Sequence, residues 1–294
     1  CDGLDSVRRL EDAGVAALVL RSLFEEQLPG DGSAASPVQA LPDEWFWFDP
    51  DAYLDLLRRT HEAVDIPVVA SINGTTAGGW LKYAELVAAA GADAIELNLY
   101  QVVADPELSG ADVEANAVAL VSAVRCHVAL PLNVKLSPFY SSLPNLCSRL
   151  VEAGASGLTL FNRFYQPDID VDARQVVRRL ELSTASDLLL RLSWLAILSP
   201  QLRTSWSASG GVHTSGDALK AIMAGADAVQ VVSCLLLRGP EHVTRMRDEL
   251  AHWLSEHACE RLADVRGAMD LSGVSAAGDI ERVSYMRILQ SWES

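Results

Sequence analysis

Short apolar runs alternate with amphipathic segments along almost the whole chain, and this rhythm limits the folds that the chain can adopt. The seven apolar runs are hydrophobic on both faces, as parallel strands covered by helices are. Several amphipathic segments end in an Ala-Gly-Ala step, where glycine allows a left-handed helix cap. The sequence therefore predicts an α/β protein with strands at 17–22, 67–72, 94–99, 132–137, 157–162, 204–209 and 228–233, and with helices at 4–13, 51–64, 76–90, 112–127, 141–153, 185–198, 215–224 and 240–257.

The number of strands and the position of the first helix bear on the architecture. A closed (β/α)₈ barrel, or TIM barrel, has eight strands, each followed by a helix. This sequence has seven candidate strands and opens on a helix at Leu4. We therefore predict a TIM barrel over residues 1–267 whose first strand is missing from this sequence. A tail, residues 268–294, is predicted to carry a helix that packs on the barrel. The alternative is an open, doubly wound sheet of seven strands.

Composition excludes several classes of protein. Half of the 294 residues are hydrophobic, which is enough for a large core. The net charge of −16 disfavours nucleic acid and anionic membrane surfaces as partners. No apolar run reaches the ~18 residues of a membrane span. The five cysteines are dispersed and form no Cys-x-x-Cys pair, which predicts a cytoplasmic protein with free thiols and no metal site.

The residues at the carboxyl ends of the predicted strands define the candidate active face, because barrel enzymes carry their chemistry there. They are polar amides, hydroxyls and cations, and none is an ordinary base at neutral pH. Two long loops, 24–50 and 163–184, also follow strand ends, where long loops are usually functional. The first contains Trp45-Phe46-Trp47-Phe48. This aromatic cluster either packs within the loop, forms a subunit contact or lines a pocket. The strand-end residues are Arg21, Ser22, Asn73, Asn98, Lys135, Asn162, Ser209, Gly210, Gly211 and Ser233.

Ser209-Gly210-Gly211-Val212 is the candidate phosphate loop, together with the segment that ends in Ser233-Cys234. The loops after the last two strands of a TIM barrel often bind phosphate through backbone N–H groups. Glycine lets that backbone approach an anion closely. The alternative is that the two glycines only make a tight turn.

Lys135 lies within a predicted buried strand, where an unpaired ammonium is costly. We expect it to face an anionic or electron-rich ligand, or else to form an internal salt bridge with Glu96. The amides of Asn98 and Asn162 can either contact a planar ring or cap their own loops.

Together these segments resemble the dihydroorotate dehydrogenase family of FMN-containing TIM barrels. The similarity spans residues 4–267, and Phe161-Asn162-Arg163 with the residues up to Pro167 points to a divergent dihydroorotate dehydrogenase-like branch. The segments that carry it are Glu96-Leu97-Asn98-Leu99, Val134-Lys135-Leu136-Ser137-Pro138, Ser209-Gly210-Gly211-Val212, the stretch 226–233, and Arg238-Gly239-Pro240.

The resemblance implies a role for each matching residue. Gly210, Gly211, Ser233 and Cys234 would hold the FMN phosphate, and Lys135 would lie at the N1/O2 edge of the flavin and stabilise negative charge there. Asn98 and Asn162 would contact flavin or substrate, with Arg163 on the substrate side. Asn73 lies near the flavin by position only. Arg21-Ser22 stands where the family usually has a Lys-Ser step, and the resemblance implies that both residues bind the cofactor.

Two family features are missing. The family reads Asn-x-Ser-Cys-Pro-Asn where this chain reads Asn98-Leu99-Tyr100-Gln101-Val102-Val103. Gln101 therefore occupies the position of the Cys or Ser base, and an amide cannot accept a proton there. Tyr100 is the only ionisable side chain beside it and is our candidate proton donor. The substrate loop, with its Asn-x-x-Gly-x-x-Asn pattern, is replaced by the aromatic loop 24–50.

Three functions follow as hypotheses. The first is an FMN oxidoreductase that converts dihydroorotate to orotate in pyrimidine biosynthesis, and the second is an FMN oxidoreductase with another substrate. The third is a flavin-free phosphate-binding barrel, which is either a lyase or synthase, where Lys135 could form a Schiff base, or a non-catalytic binding subunit. We expect a homodimer. The electron acceptor is left open among a redox partner protein, nicotinamide, fumarate and quinone.

Overall fold

The fold is α/β, with a curled parallel sheet and helices between successive strands. A computed structural model describes residues 3–27, 50–74, 80–274 and 277–291. Cys1, the aromatic cluster at 45–48 and most of the loop 24–50 lie outside these residues.

Each predicted strand is present within two residues of at least one expected end. The sheet strands are short, and every pairing within the sheet is parallel. The first prediction, 17–22, contains one short strand, and a second short strand follows directly after it; both pair with the strand Val68–Asn73. The strands are β1 (Leu18–Val19), β2 (Leu23–Phe24), β3 (Val68–Asn73), β4 (Ala94–Asn98), β5 (Leu132–Leu136), β6 (Gly157–Leu160), β7 (Asp168–Asp170), β8 (Gln175–Val177), β9 (Ser205–Ser209) and β10 (Ala228–Gln230).

The strand order excludes the doubly wound alternative. The sheet runs β1-β3-β4-β5-β6-β9-β10, with β2 paired to β3 and β7–β8 in a separate hairpin. Each strand of this order therefore lies beside the strand of the same order that follows it along the chain. A doubly wound sheet instead reverses its order at a switch point. The sheet curls into a half-barrel with the sequential order of a TIM barrel. Among the described residues, β1 and β10 each have a sheet partner on one side.

The helices cover the outer face of the sheet and form the core with it. Ile72, Leu97, Val134, Leu158 and Trp206 lie on that face of five successive strands, and none is more than 1% exposed. The helices are α1 (Leu4–Asp12), α2 (Pro50–Ala63), α3 (Trp80–Ala89), α4 (Gly110–His127), α5 (Leu143–Glu152), α6 (Ser186–Leu198), α7 (Ser215–Met223), α8 (Ser233–Arg238), α9 (His242–Glu256) and α10 (Ala277–Gln290).

The inner face of the sheet is polar, because the residues that alternate with the apolar ones carry hydroxyl, amide and charged groups. The register aligns Asn73, Asn98, Lys135, Thr159 and Ser207 across five strands. Aligned residues of neighbouring parallel strands point to the same side of a sheet. The barrel interior therefore contains a row of polar side chains close to the carboxyl ends of the strands.

Two local features differ from the prediction, and the tail forms a helix as predicted. The loop 163–184 contains a small antiparallel hairpin, β7–β8. The last strand ends at Gln230, and Ser233 begins α8 instead of ending the strand. The tail forms α10, none of whose residues is buried. The domain division at residue 267 and the packing of the tail on the barrel stay predictions.

Within the described parts of the chain, no helix is both long enough and apolar enough to span a membrane.

Gly225 offers a test of the fold, because its φ of +117° lies in the region that favours glycine. A Cβ there would overlap the side chain of Ser199, just beyond α6. We expect Gly225→Ala to lower the free energy of unfolding by about 2–4 kcal/mol, from backbone strain and overpacking. Urea denaturation measures this change.

Gly216→Ala is the matched control. Gly216 lies in α7, and a Cβ there makes only an ordinary contact, with Thr214 Oγ1. This change should raise stability by about 0.5–1 kcal/mol, because alanine favours a helix over glycine. Equal stability of the two variants would contradict the close packing of α6 against the turn after α7.

Candidate active site

A buried ion pair lies inside the half-barrel. Lys135 Nζ on β5 donates to Glu96 Oε1 on β4 at 3.3 Å and to Gln230 Oε1 on β10 at 3.0 Å. The side chain of Glu96 is 2% exposed and that of Lys135 is 16% exposed. The second carboxylate oxygen of Glu96 accepts hydrogen bonds from Asn133 and Gln230. The network joins three strands and fixes the ammonium group in the barrel mouth.

The salt bridge with Glu96, which was the alternative expectation for Lys135, is therefore present. The ammonium group of Lys135 has three N–H donors. Glu96 and Gln230 accept hydrogen bonds from two of them. Within the described residues, one donor is left for a ligand at the mouth.

A second polar cluster joins Ser22, Ser71 and Asn98. Asn98 Nδ2 donates to Ser22 Oγ at 2.8 Å, and the hydroxyls of Ser22 and Ser71 lie 2.7 Å apart. The phenol of Tyr53 donates to the Ser71 carbonyl at 3.0 Å behind this cluster, and burial raises its pKa, so it stays protonated. Asn98 Oδ1 is buried and has no hydrogen-bond partner among the described residues. An unsatisfied buried amide oxygen is costly and needs an explanation, such as a ligand.

The other strand-end amides lie at the same end of the sheet. Asn73 is 8% exposed and aligned with Asn98 on the neighbouring strand. Asn162 follows β6, and its side chain donates to the Lys135 carbonyl at 3.4 Å. The structure thus brings together Ser22, Asn73, Asn98, Lys135 and Asn162, as expected from the sequence. Arg21 lies between β1 and β2 and is half-buried.

The candidate phosphate loops also meet, through a residue that the sequence did not suggest. Ser183 Oγ accepts from the Gly211 N–H at 3.2 Å and donates to Ser233 Oγ at 2.9 Å. The Ser233 hydroxyl also accepts from the Ser183 N–H. A Cβ on Gly211 would collide with the Leu188 backbone in α6, so close packing also requires this glycine. One of the predicted phosphate donors, the Gly211 N–H, is thus bonded to Ser183 in this structure.

Arg191 supports the phosphate loops from α6. Its Nε donates to the Ser209 carbonyl at 2.9 Å and its Nη1 to the Asp187 carbonyl at 2.6 Å. Its guanidinium group lies 5.8 Å from the centre of the Phe161 ring. Burial lowers its pKa, and Asp187 opposes that shift. These contacts bind the end of β9 to α6, so Arg191 holds the loop in place.

Tyr100 and Arg163 lie in the loops above the mouth. The Tyr100 oxygen accepts from the Tyr165 N–H at 3.0 Å, and its ring lies 5.2 Å from that of Phe164. Its O–H proton is left to donate. Arg163 is exposed and pairs with Asp187 at 3.7 Å. The roles of both residues stay predictions.

The sequence analysis missed Gln230 and Ser71 and named Glu96 only as an alternative partner for Lys135. The signal that could have found Glu96 and Ser71 is the alternation of side chains along a strand, which places residues i and i+2 on the same face. Glu96 and Ser71 are polar residues inside strands that are otherwise apolar up to their ends, and each lies two positions before a predicted site asparagine. Ser183 and Arg191 carry no such signal, because they lie in a loop and on a helix.

Comparison with known proteins assigns the chain to a family. The sequence model described as dihydroorotate dehydrogenase matches residues 51–254. The chain belongs to the dihydroorotate dehydrogenase family. A protein of Aeropyrum pernix named putative dihydroorotate dehydrogenase A (fumarate) is 31% identical over 220 residues, which cover 72% of this chain and 70% of that protein.

Two further relatives carry the name dihydroorotate dehydrogenase B (NAD(+)), catalytic subunit. The protein of Halalkalibacterium halodurans is 29% identical over 69% of this chain and 68% of its own length. That of Geobacter sp. strain M21 is 28% identical over 75% of this chain and 74% of its own length. The relatives' names specify different electron acceptors, so this similarity supports a dihydroorotate dehydrogenase-like oxidoreductase and does not select an acceptor.

A double-mutant cycle tests the ion pair. We expect Lys135→Met to lower the free energy of unfolding by about 3 kcal/mol, because it leaves the buried Glu96 carboxylate without its cation. Adding Glu96→Gln should restore at least about 1 kcal/mol, since the two residues are coupled. Chemical denaturation of the two single variants and the double variant measures both values. Additive effects would contradict the pairing.

The buried thiols provide a second test. Burial raises the pKa of Cys147 to about 12 and also raises the pKa of Cys234, whereas Cys126 is exposed. A thiol-specific reagent at pH 8 should label Cys126 in the native protein, and should label Cys147 and Cys234 only on unfolding. Peptide mass mapping identifies the labelled sites.

The same two thiols should make stability depend on pH. They ionise at about pH 8.5 in the unfolded chain and at higher pH in the folded protein, so the free energy of unfolding should fall as the pH rises above about 8.5.

Proposed function

We propose that this chain is an FMN-dependent oxidoreductase whose substrate differs from dihydroorotate. The observation that carries the flavin part is the buried Asn98 Oδ1, which has no partner among the described residues and lies beside a fixed ammonium at the mouth of the half-barrel. A flavin ring offers both N–H donors and electron-rich acceptors along one edge, and it supplies hydride chemistry when bound.

The residues present fit that cofactor. The Asn98 oxygen can accept from a ring N–H, and the Lys135 ammonium can donate to a ring nitrogen or carbonyl and stabilise negative charge there. Asn73 and Asn162 flank these two groups at the strand ends. Gly210, Gly211, Ser233 and Cys234 would hold the phosphate once Ser183 yields its bond to Gly211.

The residues that depart from the family pattern lie where the family would bind and deprotonate its substrate. Gln101 is exposed in the loop after β4 and carries an amide, which accepts no proton at neutral pH. Tyr100 can donate a proton, as a reductase requires, and cannot readily remove one. These groups favour reduction of a substrate, with Tyr100 as the proton donor and Lys135 stabilising the cofactor. A homodimer and a place in pyrimidine metabolism remain parts of the family-based hypothesis.

The visible absorption spectrum is the decisive measurement. We expect flavin bands near ~450 nm in the purified protein or after FMN is added, and we expect those bands to persist when dihydroorotate is added without oxygen. Bleaching by dihydroorotate would contradict the substrate part of the proposal. A protein that is colourless and does not take up FMN would contradict the flavin part, and would leave a flavin-free phosphate-binding barrel.

Lys135 allows a specific test of the flavin contact. We compare Lys135→Met/Glu96→Gln with Glu96→Gln alone, so that an uncompensated carboxylate is present in neither protein. Loss of the ammonium should make the flavin midpoint potential more negative by about 30 mV, which equals about 1.4 kcal/mol for two electrons. Lys220→Gln, which alters an exposed lysine of α7, should leave the potential unchanged. Equal potentials in the first pair would remove Lys135 from the flavin site.

A further inference from the structure

A cavity of about 420 Å³ lies beside the barrel mouth, between the loops after β4 and β5. Its walls are mostly apolar and include Val102, Val103, Leu108, Phe139 and Phe164. The cavity borders the site described above, because Gln101 and Ser137 also line it and Ser137 lies two residues after Lys135. Its volume lies in the range of small-molecule sites.

Aromatic rings form one side of the cavity. The Phe139 and Phe164 rings meet edge to face with centres 4.8 Å apart, and the Tyr100 ring lies against Phe164. Phe139 is nevertheless 69% exposed and Val102 is 63% exposed. Large apolar side chains that gather at one cavity and stay exposed are typical of a surface that binds a ligand. A planar ring is the shape that such a wall stacks on most favourably.

The charges around the cavity disfavour an anion. Among the described residues that line the cavity, Glu114 is the one with a charged side chain. Arg149 contacts it at 3.5 Å, from outside the lining. The cations at the mouth are paired, Lys135 with Glu96 and Arg163 with Asp187, and the remaining donor of Lys135 is the one that the proposed function gives to the flavin. A carboxylate ligand would therefore meet Glu114 without a free cation among these residues to offset the repulsion.

The N-terminus of α4 also lies at the cavity, and its helix dipole alone would attract an anion. Asp112 already supplies that negative charge. Its carboxylate accepts from the Ser109 N–H and hydroxyl, and these bonds lower its pKa, so it stays ionised. The Ser109 side chain in turn accepts from the Asp112 N–H. The helix end is therefore capped and does not reverse the preference for an uncharged ligand.

A hydroxyl group is left to orient such a ligand. Tyr140 is one of the residues that line the cavity. Burial and the nearby Glu114 raise the pKa of Tyr140 to about 12, so its hydroxyl is a donor at neutral pH. A donor of this kind matches a carbonyl or ether oxygen on an otherwise apolar molecule.

We propose that the cavity between the β4 and β5 loops binds an uncharged, ring-containing small molecule that carries hydrogen-bond-accepting oxygen. Its identification as the substrate rests on the proposed oxidoreductase function. Its binding does not, because the cavity is formed by the chain itself.

Two fluorescent probes that share one ring system test the proposal. N-phenylnaphthylamine is uncharged, and anilinonaphthalene sulfonate adds a negative charge to a similar skeleton. We expect the uncharged probe to bind the full chain at least about tenfold more tightly, because Glu114 opposes the sulfonate. Phe139→Ala should weaken the uncharged probe about fivefold through loss of the ring contact. Ile288→Ala, which removes an equally exposed side chain from α10, should have no effect.

Glu114→Gln separates charge from shape. Glutamine keeps the size and an oxygen for Arg149, so the uncharged probe should bind as before while the sulfonate binds several-fold more tightly. Equal affinities of the two probes for the unchanged protein, or equal effects of Phe139→Ala and Ile288→Ala, would overturn the proposal. The titrations require no flavin. Their failure in a flavin-containing protein removes only this site, and their success in a protein that takes up no FMN removes only the flavin proposal.

Discussion

The ion pair of Glu96 and Lys135 is the interaction on which the arrangement of this site depends. A carboxylate that is almost fully buried cannot remain charged without a cation and hydrogen bonds, and here Lys135, Asn133 and Gln230 provide both. Three strands must therefore adopt one register for the network to close. Because buried ion pairs add little net stability compared with apolar packing, stability alone does not explain this pair. Its evident consequence is an ammonium fixed at the barrel mouth.

The two faces of the sheet differ in composition: the outer face forms the core, and the inner face carries the candidate site. The outer face is apolar and joins the helices in a close-packed core, so it tolerates changes of size poorly. The inner face carries polar groups and leaves Asn98 Oδ1 without a partner among the described residues. Natural proteins depart from full hydrogen-bond satisfaction mainly at functional sites. The unpartnered oxygen and the fixed ammonium therefore lie where a ligand would complete the network.

The order of elements and the row of site residues could be predicted from the sequence, because both follow from strand periodicity. Once 94–99 is taken as a strand, Asn98 lies at its carboxyl end and must meet the ends of its neighbours. Contacts between distant segments could not be predicted in the same way. Ser183 bonds both Gly211 and Ser233 from a long loop, and Arg191 binds the end of β9 from a helix. No local pattern marks either residue, since only packing of α6 brings them there.

The two halves of the site are constrained differently, and this explains where the chain departs from the family pattern. Lys135 and Asn98 belong to strands, where the network and the register couple them to many neighbours. Tyr100, Gln101 and Val102 lie in a loop, and residues there can change without disturbing the sheet. A chain of this family can therefore keep the polar groups at its strand ends while residues of the neighbouring loops change. The mostly apolar cavity beside the mouth lies between two such loops, those after β4 and β5.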